Sequence, residues 1–411
     1  MKFSKLSQLF LVSSIGLLVA TLFSACAITT IDYIFVASSA GSGTSSAGQI
    51  ETYAVDAQSG ALRTGAPTVS SGGVNPVSMA ITSDYENLYV ANAGNGSIVH
   101  FTLGLHGELT SKDTITATGT PVAIAVNQAN TYLYVLSGPI PAKLTAYPLS
   151  SGTIGAAVST NTLSLYGAYA AYSGDTLIPT GLSVLANNAA VYVTAYDQSA
   201  YNPGTTITCP SNGCANPGWV FGYTVGSGGV LTALANPIEA GIKPTAIATD
   251  PTDRFAYVTD YASNQLIGYT ILSSSTLSFM SGGPYRTGDE PSAVTIDPRG
   301  KFVYVTNSLD STVSPYSLNL ATGAPTISVS PTAGAGANST DTQPVAVTID
   351  PAVGRFVYTA NYLGNSVSGF ILDPTSGALS QTQATPYLTG FHPTAVIGVP
   401  HGNYSTQSVA P

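Results

Sequence analysis

The sequence repeats a short proline-led pattern along most of its length, and this repeat restricts the possible folds more than any other feature. Six copies of the pattern begin at Pro76, Pro121, Pro179, Pro244, Pro291 and Pro344. Their starts lie 45, 58, 65, 47 and 53 residues apart. A period of this size is typical of propeller blades made of four strands rather than of helical solenoids.

Each copy has the same internal order of strands and turns. The proline opens a short apolar strand, and a polar turn then leads to a second strand ending in sequence similar to Tyr-Val-Thr-Asn. A third strand, such as residues 312–318, and a more polar fourth strand follow. Proline is tolerated at the first residue of a strand because it is not required there as a ladder donor. The pattern predicts an all-β protein whose blades each contain four antiparallel strands.

Three acidic residues stand directly before proline in the turn between the first and second strands, namely Asp250, Asp297 and Asp350. An aspartate can cap such a turn, and the following proline fixes the backbone φ angle. We therefore interpret these three residues as structural and not as catalytic acids.

The two ends of the repeat region complement each other. Residues 31–37 have the pattern of a second strand, but no inner strand precedes them. Pro393 opens one more inner-strand sequence, after which the repeat stops. We expect the C-terminal strand to complete the N-terminal blade, because an open ring would leave unpaired strand edges. The sequence thus predicts a seven-bladed β-propeller over residues 31–399, with a tail at 400–411.

The composition agrees with an all-β fold and argues against nucleic acid as a partner. Only 8% of the residues are charged, and the chain contains 42 Gly, 26 Pro and 24 Tyr, which suits short strands joined by turns better than helices. The formal net charge is -9, and it becomes -11 without Lys2 and Lys5. A body this acidic would be repelled by a phosphate backbone.

The N-terminus is typical of an export signal. Lys2 and Lys5 precede an apolar stretch at residues 9–22, and small residues lead to Cys26. Residues 22–26 resemble the lipobox of bacterial lipoproteins, which implies a signal peptide at 1–25, lipidation of Cys26 and a short tether at 26–30. This resemblance implies membrane attachment through the N-terminal lipid, on the outer membrane or cell surface. The alternatives are ordinary cleavage to a periplasmic or secreted protein, and a single uncleaved membrane helix.

The other two cysteines, Cys209 and Cys214, form an even pair within a Pro- and Gly-containing loop. In an oxidising compartment such a pair favours a disulfide. The sequence has no second cysteine pair that would complete a zinc site. We expect no metal and no cofactor.

Residues 255–260, 302–307 and 356–361 carry the Tyr-Val-Thr-Asn signature most clearly. Through these residues the chain resembles the YVTN-repeat β-propellers and the wider seven-bladed, lactonase-like family that includes 6-phosphogluconolactonase. The resemblance covers the chain from about residue 31 to residue 399 and implies hydrolysis of a sugar lactone. The same fold hosts many unrelated functions, so the fold alone does not establish this activity.

The long insertions at residues 38–48, 163–178, 197–218 and 330–343 are expected on one face of the propeller, where binding residues tend to lie. Flat side chains with a polar tip suit sugars and peptides. The predicted ligand-binding residues on this face are Tyr169, Tyr172, Tyr196, Trp219, Glu239, Lys243 and Tyr285. The alternative for each tyrosine is packing of the loops, and for the charged residues it is pairing with one another.

If the protein is an enzyme, the predicted catalytic residues are Arg286, Glu290 and His392. Lactonase-like relatives carry His and Arg in the segment that leads into the inner strand, whereas here only His392 occupies a comparable place. This departure counts against a working hydrolase. The sequence therefore predicts an exported propeller, expected to be a monomer, that binds a carbohydrate or protein ligand, with a lactonase-like hydrolase as the alternative.

Overall fold

The computed structural model describes residues 29–43, 46–172, 174–198, 217–234, 236–328 and 338–401. The predicted signal peptide, Cys26, the cysteines at 209 and 214, and the tail beyond residue 401 lie outside the described residues. No helix in the described part of the chain is both long enough and apolar enough to cross a membrane.

The described strands form seven antiparallel sheets arranged as blades around a central channel, which confirms the predicted fold. We number the blades in chain order, and blade 1 contains both chain ends. From blade 1 to blade 7, the inner strands are Phe391–Pro400, Pro76–Ile81, Thr120–Val126, Leu177–Val184, Pro244–Thr249, Pro291–Ile296 and Pro344–Ile349. The second strands are Thr30–Ser39, Asn87–Asn92, Tyr132–Gly138, Ala190–Asp197, Phe255–Asp260, Phe302–Asn307 and Phe356–Asn361.

The third strands are continuous, whereas the outer strand is split in every described blade except blade 2. The third strands are Ala47–Asp56, Ser97–Leu103, Lys143–Ser150, Gly218–Val225, Gln265–Ile271, Thr312–Leu318 and Ser366–Leu372. The outer strands are Leu62–Thr64 with Val69–Val74, Leu109–Thr116, Thr153–Ile154 with Ser159–Thr162, Leu231–Ala233 with Ile238–Glu239, Leu277–Phe279 with Tyr285–Arg286, Pro325–Ile327 with Asn338–Ser339, and Leu379–Gln381 with Tyr387–Leu388. Two short 3-10 helices lie at Gly167–Tyr172 and Ser227–Gly229.

The C-terminal strand closes the ring as the sequence predicts. Phe391–Pro400 pairs antiparallel with Thr30–Ser39, and the register places Tyr33 opposite Val399 and Ala37 opposite Ala395. Blade 1 therefore consists of an inner strand from the C-terminus and three strands from the N-terminus.

The Asp-Pro turns are held by their own aspartates. The Asp297 carboxylate accepts hydrogen bonds from the backbone N–H groups of Lys301 at 2.6 Å and Phe302 at 2.8 Å. Asp250 accepts the equivalent bonds from Arg254 at 2.6 Å and Phe255 at 2.8 Å. Because these carboxylates are buried and fully engaged in the turn, they do the structural work predicted for them.

Neighbouring blades are joined by a repeated contact between a tyrosine and a turn. Tyr257 in blade 5 donates a hydrogen bond of 2.5 Å to the carbonyl oxygen of Gly323, in the turn after the third strand of blade 6. Tyr304 in blade 6 makes the same bond to Gly377 in blade 7, at 3.0 Å. The tyrosine of the repeated signature is thus a buried connection between blades.

Candidate active site at the mouth of the central channel

The residue before each inner-strand proline lies at one mouth of the central channel, since the inner strands line that channel. In blades 1 to 7 this position is occupied by His392, Asn75, Thr120, Ile178, Lys243, Glu290 and Gln343. Lys243, Glu290, Gln343 and His392 belong to consecutive blades around the ring, blades 5, 6, 7 and 1. We call these four residues the polar arc. All four side chains are partly exposed.

The backbone of the polar arc is held in an unusual conformation. Glu290, Gln343 and His392 have φ angles of 55°, 58° and 51°, in the left-handed region. Such a conformation is uncommon for residues other than glycine, and it needs support from its surroundings. Asparagines from the preceding blades supply part of that support. The Oδ1 atom of Asn264 accepts the Glu290 N–H at 2.9 Å, and that of Asn365 accepts the His392 N–H at 2.8 Å.

The Lys243 side chain lies near the rings of Tyr196 and Tyr261 and near the Glu290 carboxylate. Its Nζ atom is 4.1 Å from the centroid of the Tyr261 ring and 5.9 Å from that of Tyr196. Tyr261 belongs to the same blade and Tyr196 to the preceding one, so the cation is in contact with both ring faces. Burial lowers the pKa of Lys243, and the nearby Glu290 carboxylate opposes this by raising it.

Buried Asp260 fixes the backbone that leads to Lys243. Its carboxylate oxygens accept hydrogen bonds from the N–H groups of Ile242 at 3.1 Å and Lys243 at 2.9 Å. Asp260 is fully buried, and it also accepts a bond from the side chain of Gln265 at 3.0 Å. This aspartate therefore positions the lysine rather than forming part of the accessible surface.

His392 is also placed by an aromatic ring. It stacks on Tyr362 of blade 7 with 4.6 Å between ring centroids and an interplanar angle of 13°. The pair repeats the relationship of Lys243 to Tyr196, because in both cases a tyrosine at the end of a second strand contacts the arc residue of the next blade.

The polar arc contains the group types that acyl transfer to water requires. A lysine ammonium can stabilise an oxyanion, and an imidazole or a carboxylate can accept a proton. Among the described residues, no group of three or more His, Cys, Asp or Glu side chains is arranged to hold a metal ion.

The structure places five of the remaining predicted site residues in two groups away from the arc. Tyr285 and Arg286 form a short outer strand of blade 5 and line a surface cavity of about 670 Å³ against blade 6. Arg286 is thus separated from Glu290, although only three residues lie between them in the sequence.

Tyr169, Trp219 and Glu239 come together at the outer edge of blade 4. The Tyr169 and Trp219 rings meet edge to face with 5.8 Å between their centroids, and the Tyr169 hydroxyl donates to Glu239 Oε1 at 3.4 Å. Trp219 is only 2% exposed, so its ring packs in the interior. Tyr172 ends a 3-10 helix, and its side chain lies outside what the structure describes.

Sequence reasoning missed Gln343 and the two supporting asparagines. Asn264 and Asn365 each lie three residues beyond the tyrosine that directly follows the second strand, Tyr261 or Tyr362, so an alignment of the repeats already contains this signal. Gln343 has no distinctive sequence signal, because only the ring places it between Glu290 and His392.

Comparison with known proteins agrees with the seven-bladed fold described above. A family model described as a seven-bladed β-propeller lactonase matches residues 34–169 and 226–338. No curated protein matches the chain.

Several solved structures share the fold at low sequence identity. The periplasmic gluconolactonase of Pseudomonas aeruginosa is 16% identical, with a TM-score of 0.71 and coverage of 91% of this chain and 100% of that one. A Bacteroides uniformis protein, assigned provisionally as a 6-phosphogluconolactonase, is 15% identical, with a TM-score of 0.71 and coverage of 90% and 100%. A Lactobacillus plantarum protein is 18% identical, with a TM-score of 0.70 and coverage of 90% and 99%.

Proposed function

Because the chain belongs to the family of seven-bladed β-propeller lactonases, we propose that it hydrolyses a lactone at the mouth of its central channel. The observation that carries this proposal is the polar arc, in which Lys243, Glu290 and His392 occupy one register position in nearby blades. The sequence by itself favoured a ligand-binding propeller, with a lactonase-like hydrolase as the alternative. We now place hydrolysis first, since the family supports hydrolysis better than it supports ligand binding by the aromatic loops.

In the proposed reaction His392 acts as the general base. It takes a proton from a water molecule, whose oxygen adds to the lactone carbonyl carbon. The resulting oxyanion is stabilised by the Lys243 ammonium, which Glu290 helps to keep protonated. The ring C–O bond then breaks, and the ring oxygen takes the proton from His392, which releases the open hydroxy acid. An imidazole suits both proton transfers because its ordinary pKa lies close to neutral pH.

The proposed substrate is an uncharged sugar lactone. Tyr196, Tyr261 and Tyr362 all lie beside the arc, and aromatic faces suit the C–H faces of sugar rings. The chain has a net charge of -9, which disfavours a phosphorylated substrate. A ligand-binding propeller without turnover is the second candidate, and the same tyrosines would serve it.

We further propose that the protein acts outside the cytoplasm as a lipoprotein anchored through Cys26. The support is the signal-like sequence at residues 1–25, together with the periplasmic location of the Pseudomonas relative. Detergent phase partitioning of the native protein and a Cys26→Ser variant tests this. The native chain should enter the detergent phase and the variant should not, whereas equal partitioning would contradict lipidation.

The activity is tested with purified residues 27–411 and a panel of aldonolactones and aliphatic lactones. We expect turnover of an aldonolactone, with kcat reduced by about 10²-fold or more in His392→Asn, since a general base contributes on this scale. Asparagine tolerates the left-handed backbone at this position, so the variant is expected to fold. Lys112→Ala, on the exposed outer strand of blade 2, is the matched surface control.

Arg286→Ala decides between the sequence-based site and the polar arc. Retained activity in this variant, with activity lost in His392→Asn, would place the chemistry at the arc. Loss in Arg286→Ala alone would place it at the outer cleft of blade 5. If the native protein hydrolyses no lactone above the uncatalysed rate, a binding function replaces the proposal.

A further inference from the structure

The opposite face of the propeller carries the turns between inner and second strands, and each turn has one residue in the left-handed conformation. In blades 2 to 7 these residues are Tyr85, Asn130, Asn188, Asp253, Gly300 and Gly354, with φ between 55° and 62° for the non-glycines and 61° to 66° for the glycines. In every one of these turns the N–H of this residue bonds to the carbonyl oxygen at the start of the turn. The six positions are therefore structurally equivalent.

In three of these turns, the side chain at this position ties its blade to the preceding one. Asn130 of blade 3 accepts the Ser83 N–H of blade 2 at 2.8 Å, and Asn188 of blade 4 accepts the Ala129 N–H of blade 3 at 3.2 Å. Asp253 of blade 5 accepts the Ala186 N–H of blade 4 at 2.7 Å. These three contacts join blade 5 to blade 4, blade 4 to blade 3 and blade 3 to blade 2.

Blade 1 has no turn between its inner and second strands, so this series of contacts ends at blade 2. Its inner strand ends at Pro400 and its second strand begins at Thr30, so these strands come from opposite ends of the chain. Where a turn would lie, a cavity of about 720 Å³ opens between blades 1, 2 and 3. Its walls include Tyr33, Tyr85, Asp84, Glu86, Asn87, Asn130 and Pro400.

Tyr85 faces this cavity from a strained backbone. A bulky side chain with φ of 60° is a conformational outlier, and such residues tend to persist where function requires them. Asparagine, which suits the conformation, stands at the same place in blades 3 and 4. The Tyr85 ring packs against the core of blades 1 and 2 while also lining the cavity. A tyrosine at position 85 is therefore unfavourable if the residue serves only to form the turn.

We propose that this cavity is a second binding site, for a neutral saccharide. Its volume lies within the range of about 300–1,000 Å³ that is usual for small-molecule sites. The partly exposed ring of Tyr85 offers an apolar face to a sugar, whereas the Tyr33 ring is only 7% exposed and packs against His401. The exposed Glu86 carboxylate offers a partner for sugar hydroxyl groups, and the Asp84 carboxylate can accept further bonds beside the 3.0 Å bond that it receives from Asn130. The lining contains two carboxylates and no Lys, Arg or His, which disfavours an anionic ligand, and His401 lies behind the lining residues Tyr33 and Leu105.

The test measures binding of neutral disaccharides to the full-length protein by saturation-transfer NMR and calorimetry, with maltose, cellobiose and N,N′-diacetylchitobiose as probes and gluconate as the anionic comparison. We expect at least one disaccharide to bind and gluconate not to bind. Tyr85→Asn should weaken disaccharide binding by about tenfold or more, on the scale of one lost aromatic contact. Asparagine suits the left-handed turn, but the variant also loses the packing of the Tyr85 ring against the core, so its melting curve is recorded and binding is measured well below its melting temperature.

A second pair of variants keeps the test independent of the Tyr85 backbone. Glu86 is exposed and lines the cavity, whereas Gln128 is exposed in the next turn and does not line it. Glu86→Ala should weaken binding several-fold and Gln128→Ala should leave it unchanged. Failure of every disaccharide to bind, or full binding by Tyr85→Asn, would overturn the proposal. Since the lactone site lies on the other face, lactonase activity should be the same in all three variants, and its absence would not affect this test.

Discussion

The hydroxyl group of Tyr358 donates a hydrogen bond of 2.8 Å to the carbonyl oxygen of Gly60, although 298 residues separate the two in the chain. Tyr358 belongs to blade 7 and Gly60 to blade 1. The bond repeats at the ring closure what Tyr257 and Tyr304 do between successive blades. The junction between the two chain ends therefore has the same buried contact as the internal junctions.

We predict that Tyr358→Phe lowers the free energy of unfolding by about 1–3 kcal/mol, because the buried carbonyl group of Gly60 loses its partner. Denaturant unfolding measures this change. Tyr304→Phe, which removes the matching bond to Gly377, is the control and should cost a similar amount. A negligible effect in Tyr358→Phe beside a clear effect in Tyr304→Phe would show that the closure does not depend on this bond.

Gly60 supports a second prediction through its contact with an aromatic ring. Its φ angle is 66°, and a Cβ atom built there would lie 2.3 Å from the Phe356 ring. Gly96 has almost the same φ, 65°, but its Cβ would meet nothing within 4 Å. Gly96→Ala should cost about 1–2 kcal/mol from the left-handed backbone alone. Gly60→Ala should cost about 1–3 kcal/mol more, since packing is also disturbed. Equal losses of stability on denaturant unfolding would contradict the clash.

Asp32 gives the protein a predictable response to pH. This residue is fully buried in blade 1, and burial, reinforced by the nearby Asp350 carboxylate, raises its pKa from 3.8 to about 9. The folded state thus holds a proton that the unfolded chain releases near pH 4. The contribution of Asp32 to the free energy of unfolding should be greatest below about pH 4. It should fall as the pH rises towards 9, by up to about 1.4 kcal/mol per pH unit.

Asp32→Asn should remove that dependence, because an amide cannot ionise. We expect the melting temperature of the variant to exceed that of the native protein more at pH 8 than at pH 5. Asp350→Asn is the informative comparison. The Asp350 carboxylate accepts backbone N–H bonds from Val353, Arg355 and Phe356, so its replacement should destabilise the protein at both pH values. A parallel pH response in native protein and Asp32→Asn would show that Asp32 is not the titrating group.

The interaction of Glu290 with Lys243 predicts a change in the pH profile of the proposed hydrolysis. The Glu290 carboxylate raises the pKa of Lys243 against the effect of burial. Glu290→Gln should therefore lower that pKa and move the alkaline limb of the kcat/KM profile to lower pH. Glu108→Gln, an exposed carboxylate on the opposite face, is the control and should leave the profile unchanged. An unshifted limb in Glu290→Gln would exclude Lys243 as the group that sets it.

The sequence alone determines the architecture of this protein, because strand order and turn chemistry are local and recur in every repeat. The proline at the start of each inner strand and the Asp-Pro turns could be read directly from the repeats. The closure of the ring also followed from the sequence, since residues 31–37 lack an inner strand and Pro393 begins one. A single missing strand at one end and a single extra strand at the other permit one pairing that leaves no edge free.

Which polar residues lie at the same place in the fold could be read only from the three-dimensional arrangement of the blades. Arg286 and Glu290 are close in sequence, but between them the chain passes from the outer strand of blade 5 to the inner strand of blade 6. Conversely, Glu290 and His392 are 102 residues apart and share one end of the channel. The cavity beside Tyr85 likewise arises from the shape of the closed ring, where two chain ends replace a turn. A repeat specifies each blade by local interactions, whereas neighbours across blades depend on how the whole ring closes.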